Sequence, residues 1–412
     1  MKISKKIALA AIPAVMALSS APVDSKVLLM SDKGWEVSFD GAANAFYNFT
    51  SVGVVDSTGI GRAMTSREAG GLGAIRGHGG VNSGNNGAET SSISVGLLPN
   101  VWGFTVKAPT SNGLDVSGRL GLYTHMNSDG GSGSGNTINI RETSLSVAGS
   151  FGSVLMGRSL GIHQANAILN DVTLFGVGTY SGNITGTTLG RIGTGYVYAD
   201  WYPQITWTTP GVGPFGVKVG LLQATPVHST TANSGATEMT APRVEAQIDY
   251  NFEIGGLGGH LWLDGSYQNL GRNQTETATY QGNVGAAEHG DYDESIDIGA
   301  GGFGGKLTFE GLSFVFAGFY NKGLGVQLQG NVGGAYSGSL DENGKPRNFY
   351  GGYLQAAYDF GQGTNASYSY GQNVAVRTGG DEHNAAIDTN ARLNYQEHHN
   401  GMIWHNITDD FR

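Results

Sequence analysis

The sequence predicts an all-β chain: an antiparallel sheet rolled into a transmembrane β-barrel. Three observations carry that expectation. Segments of alternating apolar and polar residues recur from about residue 89 onward, the joints between them switch between very short and very long, and no stretch after the N-terminal segment approaches a spanning helix. The short joints are Thr110-Ser111-Asn112-Gly113, Ser150-Phe151-Gly152, Glu310-Gly311 and Gly361-Gln362-Gly363; the long ones are rich in Gly, Ser and Asn and carry acidic residues. Tight turns on one side and long loops on the other mark a sheet that crosses a membrane.

The bulk numbers agree. Of 412 residues, 69 are glycine and only 14% are charged, yet the mean hydropathy is −0.17. Strands that face lipid on one side and water on the other average to such values. No linker, charge block or composition break divides the chain. The formal net charge of −10 argues against nucleic-acid binding through a basic surface. With no cysteine, disulfides, thiolate catalysis and Cys-based zinc sites are excluded.

Taken in order, residues 1–21 read as a secretory signal. Lys2, Lys5 and Lys6 form a positive region, Ile7 to Leu18 an apolar one, and Ser19-Ser20-Ala21 supply small residues for cleavage. The apolar run falls short of the roughly 20 residues a spanning helix needs. Residues 22–34 read as a lead-in, and 35–412 as the barrel. Strands are expected near 35–49, 89–108, 114–126, 137–149, 153–160, 191–209, 216–225, 242–252, 259–269, 294–309, 312–321, 347–359, 364–374 and 392–407.

The clearest strand is 243 to 252, where Val244, Ala246, Ile248, Tyr250 and Phe252 alternate with Arg243, Glu245, Gln247, Asp249 and Asn251. Charges of both signs on the second face suit a water-filled interior and not a soluble core. Tyr350 and Tyr358 flank Gly352, Leu354 and Ala356 on one face. Eight steps of roughly 3.3 Å, shortened by tilt, span about 20 Å, near the height of an apolar band between aromatic girdles.

After the fourteenth strand, Thr408-Asp409-Asp410 reads as another tight turn and Phe411-Arg412 as the start of a fifteenth. Two more strands would complete sixteen, a size that leaves an aqueous channel. The expectation is a sixteen-stranded barrel with about fourteen strands present and its C-terminal end missing.

The stretch Arg141-Glu-Thr-Ser-Leu-Ser-Val-Ala-Gly-Ser-Phe-Gly-Ser-Val-Leu-Met-Gly-Arg158 resembles the fourth and fifth strands of Gram-negative general porins. Arg191-Ile-Gly-Thr-Gly-Tyr-Val-Tyr is similar to the family's sixth strand, and Gly34-Trp-Glu-Val-Ser-Phe-Asp-Gly-Ala-Ala-Asn-Ala-Phe-Tyr to its first. The resemblance covers the chain in layout and is specific in residues around 141–198. It implies a homotrimer of sixteen-stranded barrels in the bacterial outer membrane, among lipid and lipopolysaccharide. It also implies a third loop, about 160–190, folded into the lumen as a constriction. In the family, carboxylates of that loop face arginines on the wall; Arg141 and Arg191 match two of the wall positions. Here Asp171 is the sole carboxylate of 160–190, and 89–100 supplies no arginine, so the usual transverse field is weakened. The family ends on an aromatic residue, whereas this chain ends in Arg412.

The pore-constriction candidates are therefore Arg119, Arg141, Arg158, Arg191 and Asp171. Fixed wall charge in a narrow pore sets a barrier for co-ions. Arg119 faces the lumen by alternation. Arg141 shares phase with Leu145 and Val147, so a bulge must intervene for it to face inward, and Arg158 is ambiguous. The bland alternative pairs these arginines with neighbours such as Asp115 or Glu142. The implied function is passive diffusion of small hydrophilic solutes and ions, without catalysis or cofactor, with a mild anion preference.

The alternative within the fold is a substrate-specific channel for a sugar or organic anion, with Tyr196, Tyr198, Trp201, Tyr202 and Trp207 along the path. A hydrolase on a barrel would need a Ser–His–acid set and a GxSxG turn, and neither is expected. A soluble Gly-rich adhesin is the remaining rival. Gly299–Gly304 matches GxGxxG, but Lys306-Leu-Thr-Phe continues a strand where that motif needs a helix. Asp291, Asp293 and Glu294 lack EF-hand spacing and suit cations bridging lipopolysaccharide. Glu397, His398 and His399 read as lumen or loop residues.

Overall fold

The alternating segments pair in chain order into one antiparallel sheet. The computed structural model describes residues 27–52, 88–125, 138–178, 188–211, 213–227, 235–272, 295–327, 329, 339–341, 344–376, 378 and 395–407. Its strands are β1 (Val27–Asp32), β2 (Trp35–Ala42), β3 (Phe46–Val52), β4 (Ala88–Ser94), β5 (Asn100–Lys107), β6 (Asp115–Thr124), β7 (Ile138–Gly149), β8 (Gly152–Leu160) and β9 (Trp201–Thr208). There follow β10 (Phe215–Leu222), β11 (Arg243–Ile254), β12 (Leu257–Gly271), β13 (Ser295–Phe309), β14 (Leu312–Lys322), β15 (Asn348–Asp359), β16 (Thr364–Ala375) and β17 (Tyr395–His405). Fifteen strands form one sheet in the order β1-β2-β5 and then consecutively β6 to β17; β3 and β4 form a separate hairpin. The sheet is not closed, and β1 and β17 are its edges. The proposed signal 1–21, the acidic cluster at 291–294 and the terminal turn at 408–410 lie outside the described residues.

All fourteen expected strands are present, with three corrections. First, the lead-in contains a strand: β1 pairs with β2 across the Lys33-Gly34 turn. Second, the first two strands are each broken, into β2 and β3 and into β4 and β5. Asn44 fills the break, donating through Nδ2 to Leu98 O at 3.0 Å and accepting through Oδ1 from Gly96 N at 2.8 Å. Pro99 has no N–H to keep a ladder running there. Third, the sixth strand starts at Trp201 and not at 191.

Four of the tight turns share one geometry. Lys33-Gly34, Asn112-Gly113, Gly255-Gly256 and Glu310-Gly311 each have two consecutive positive φ values. That is the type I′ turn, whose twist matches the strands it joins.

The burial pattern is inverted relative to a soluble sheet. In β11, Arg243, Glu245 and Gln247 are buried while Val244, Ala246 and Ile248 are exposed. Leu263 is 61% exposed and its neighbour Asp264 only 8%. Val147, Val154, Trp207, Val219 and Ala246 stand opposite one another across successive ladders as one outward row. Exposed aromatics gather near the tight-turn rim: Phe215 packs against Tyr250 at 4.8 Å and Tyr358 against Phe360 at 4.9 Å. Inside, residues of the 161–200 loop (Ile168, Leu174, Ile192, Tyr196) pack against Tyr123, Trp262, Val315 and Tyr353 of the wall.

Candidate functional site

The loop between β8 and β9 runs from 161 to 200, ten residues further than expected. It holds a short helix α1 (Ala165–Leu169) and a 3-10 turn over Val172–Phe175. Arg191–Tyr198, read from the sequence as strand, belongs to this loop; Gly190 at φ 55° and Gly193 at φ 80° fold it back.

At the loop's entrance, two wall carboxylates take its backbone. Glu245 Oε2 accepts from Ile162 N at 2.7 Å and His163 N at 2.9 Å, while Oε1 pairs with Arg243 Nε at 3.1 Å. Asp264 Oδ1 accepts from Gln164 N at 3.1 Å and meets His163 Nδ1 at 2.5 Å. Gln164 sits at φ 65°, turning the chain into α1. Carboxylates receiving backbone N–H groups make charge-assisted bonds, stronger than neutral ones.

Further along, β15 holds the loop by neutral groups. Tyr353 Oη donates to Ala167 O at 2.7 Å, and Gln355 accepts from Val172 N at 2.9 Å and donates to Asn170 O at 3.0 Å. Asp171 Oδ1 then caps the 3-10 turn, accepting from Thr173 N at 3.0 Å. Its Oδ2 accepts from Tyr196 Oη at 2.7 Å, and Arg191 Nε lies 3.9 Å from its Oδ1. Arg191 is fully buried, donating to His398 O at 3.0 Å and to the Ser369 hydroxyl. On the opposite wall, Leu97 N and Leu98 N in the break between β4 and β5 donate to Gly176 O and Leu174 O at 3.1 and 3.2 Å. The loop thus bonds to strands on several sides, and the sheet curves around it.

Wall glycines make this close approach feasible. A Cβ on Gly302 would collide with the Gln164 side chain, one on Gly371 with Thr194 O, and one on Gly96 with Gly176 O. Gly302 lies inside the GxGxxG match, and the ladder through Gly299–Gly304 is uninterrupted strand. Burial, followed by the charge of Asp171, holds the Tyr196 phenol well above its ordinary pKa, so it donates and does not ionise.

The candidate arginines divide. Arg119 faces inward and is neutralised: Asp40 takes it bidentately, and Glu142 lies 3.5 Å from its Nε. Arg141 does face inward, by a bulge. Gly121 opposes Glu142 and Leu122 opposes Ile140, leaving Arg141 as the extra residue, with its guanidinium 5.0 Å from the Tyr123 ring. It lines a cavity of about 130 Å³ with Ile168, Leu174 and Trp201. Arg158 is exposed and shares the outward phase of Met156, and among the described residues its charge is felt only at the end of the loop, by Tyr198 and Asp200. Arg191 and Asp171 meet each other within the loop, and neither belongs to a wall strand.

Several sequence readings change. The aromatic run forms no track. Trp201 is bonded to Tyr198 at 2.9 Å, Tyr202 lies beneath Arg243 at 4.0 Å, and Trp207 faces outward. Gly157-Arg158-Ser159-Leu160-Gly161 does fit GxSxG spacing, but Ser159 lies within β8 and makes no hydrogen bond to His163, which is buried against Asp264. His398 faces inward, whereas Glu397 and His399 face outward beside Tyr370 and Tyr368. Among the described residues no group of three His, Asp or Glu side chains could hold a metal ion. The anchors Glu245, Asp264, Gln355 and Ser369 were not singled out as site residues. Their only sequence signal is being polar on the inward phase.

Among solved structures, the chain is similar to the outer-membrane channel DcaP of Acinetobacter baumannii. Identity is 13% and the TM-score 0.52, with 85% of this chain and 82% of that one covered. The fold is that of an outer-membrane β-barrel. An anion-selective porin from Comamonas acidovorans (14% identity, TM-score 0.46, 81% and 80% covered) is also similar. So is OmpF of Salmonella typhi (13%, 0.46, 84% and 81%). No family model and no curated protein sequence matches the chain.

Proposed function

We propose that the chain is an outer-membrane porin: a water-filled channel for passive diffusion of small hydrophilic solutes and ions, assembled as a homotrimer amid lipid and lipopolysaccharide. The observation that carries the reading is the inverted sheet. An apolar outward face over buried inward charges, as in β11, suits lipid outside and a polar interior. A loop pinned across that interior then supports a constriction. The sequence favoured a mild anion preference from wall arginines. Because Arg119 and Arg191 are paired with carboxylates and Arg158 faces outward, Arg141 alone of the candidates is left to carry that preference, and weak selectivity is expected.

The test is reconstitution of the purified chain in a planar bilayer. Stepwise current increments that scale with salt concentration are expected; absence of any conductance would falsify the channel reading. Trimers are checked by the mass of the unheated protein in detergent.

A further inference from the structure

Three polar side chains on the inner wall form a row that no other described residue occupies. Lys218 on β10 stands opposite Thr208 on β9, and Thr208 stands opposite Ser153 on β8. Neighbouring strands lie about 4.8 Å apart, so the three backbone positions span about 10 Å. All three line one cavity of about 70 Å³ between the wall and α1. None of the three side chains has a hydrogen-bond or ion-pair partner among the described residues. This sets Lys218 apart from Arg119, Arg191 and Arg243, each held by a carboxylate. Asp249 is near enough to influence Lys218, but its carboxylate is taken by His260 at 2.8 Å, Gln247 at 2.7 Å and Asn166 at 2.9 Å.

The size and lining of the cavity narrow the ligand. At roughly 10–15 Å³ per water, the space holds about five to seven waters, enough for one end of a small solute. Glu142 also lines the cavity, but its carboxylate is engaged by Tyr123 Oη at 3.2 Å and Arg119 Nε at 3.5 Å, which leaves the Lys218 ammonium to meet a single negative charge and the two hydroxyls to meet further hydroxyls. Leu155, Leu160 and Leu169 line the same cavity and offer a carbon skeleton an apolar side. We propose that Lys218, Thr208 and Ser153 form a docking subsite for the carboxylate end of a small hydroxy acid crossing the channel. The proposal rests on the channel reading above.

The test uses the full chain in planar bilayers, with gluconate and its uncharged counterpart sorbitol as probes of current interruption. Gluconate is expected to block at lower concentration than sorbitol. Lys218→Gln is expected to raise the gluconate half-blocking concentration about tenfold, the scale of one charge-assisted hydrogen bond, while leaving the sorbitol response unchanged. Thr208→Val combined with Ser153→Ala is expected to weaken both probes, and serves if Lys218→Gln does not fold. Equal block by both probes in the unaltered protein overturns the subsite, as does a Lys218→Gln variant with unaltered gluconate block. Either result leaves the channel intact, whereas a protein that conducts nothing overturns the channel itself.

Discussion

The loop that crosses the interior is held in opposite ways at its two ends. At the entrance the charge belongs to the wall: Glu245 and Asp264 accept from the backbone of residues 162–164. Further along the charge belongs to the loop: Asp171 and Arg191 face each other, and the wall contributes the neutral Ser369 hydroxyl and His398 carbonyl. The difference teaches where the lumen's field comes from. Both ends spend their charges locally, so in the proposed channel the loop would expose few of them to a passing ion.

The entrance is the harder end to damage without consequence. Glu245→Ala leaves the Arg243 guanidinium buried without its carboxylate and two loop N–H groups without an acceptor. Breaking such a buried pair costs about 3–5 kcal/mol, read as a fall in the temperature at which the detergent-solubilised barrel unfolds. Glu245→Gln keeps an acceptor for the amides and is expected to lose less. If Glu245→Ala shifts the midpoint no more than an exposed substitution does, the entrance is not the anchor that its geometry indicates.

Asp171→Asn probes the other end and is expected to cost less, about 1–3 kcal/mol. The amide oxygen still caps Thr173 N, and Arg191 keeps His398 O and Ser369. Because the substitution leaves Arg191 without its counter-charge, it is also expected to shift the bilayer reversal potential toward anions. An unchanged potential would mean that the pair does not face the conducting path.

These contrasts explain what was legible in the sequence. Strands are readable because each is half lipid-facing and half polar, so alternation survives even where 69 glycines dilute it. The bulge at Arg141 was legible only in combination: parity groups Arg141 with Leu145 and Val147, and the resemblance to a wall arginine of the porin family asks it to face inward, which together require an extra residue. β1 was not, because Val27-Leu28-Leu29-Met30 is continuously apolar and shows no period of two. The break at Pro99 had a signal, the missing N–H, that alternation on either side masked. Residues 191–199 read as strand because they carry β-forming aromatics, yet they fold inward where both sides are buried. The anchors stayed hidden because their partners are far along the chain: His163 and Glu245 are 82 residues apart, Arg191 and Ser369 178.

The smallest expected effect separates paired from unpaired carboxylates. Asp200, at the seam between the loop and β9, makes no ion pair among the described residues, and its Oδ1 accepts only from Trp201 N, at 2.7 Å. Burial, the largest influence, raises its pKa above the ordinary carboxylate value. The folded form therefore binds this proton more tightly than the unfolded chain. No penalty exists below the unfolded value, near 3.9. A penalty grows as pH rises from there through the folded value and stays constant above it. Asp200→Asn keeps an oxygen acceptor for Trp201 N, and asparagine tolerates the left-handed backbone at φ 54°. The variant is thus expected to be more stable than the parent at pH 7, by less than about 1 kcal/mol, and equal to it near pH 3. Equal midpoints at both pH values would show that water reaches Asp200, and that carboxylates at this seam need no partner at all.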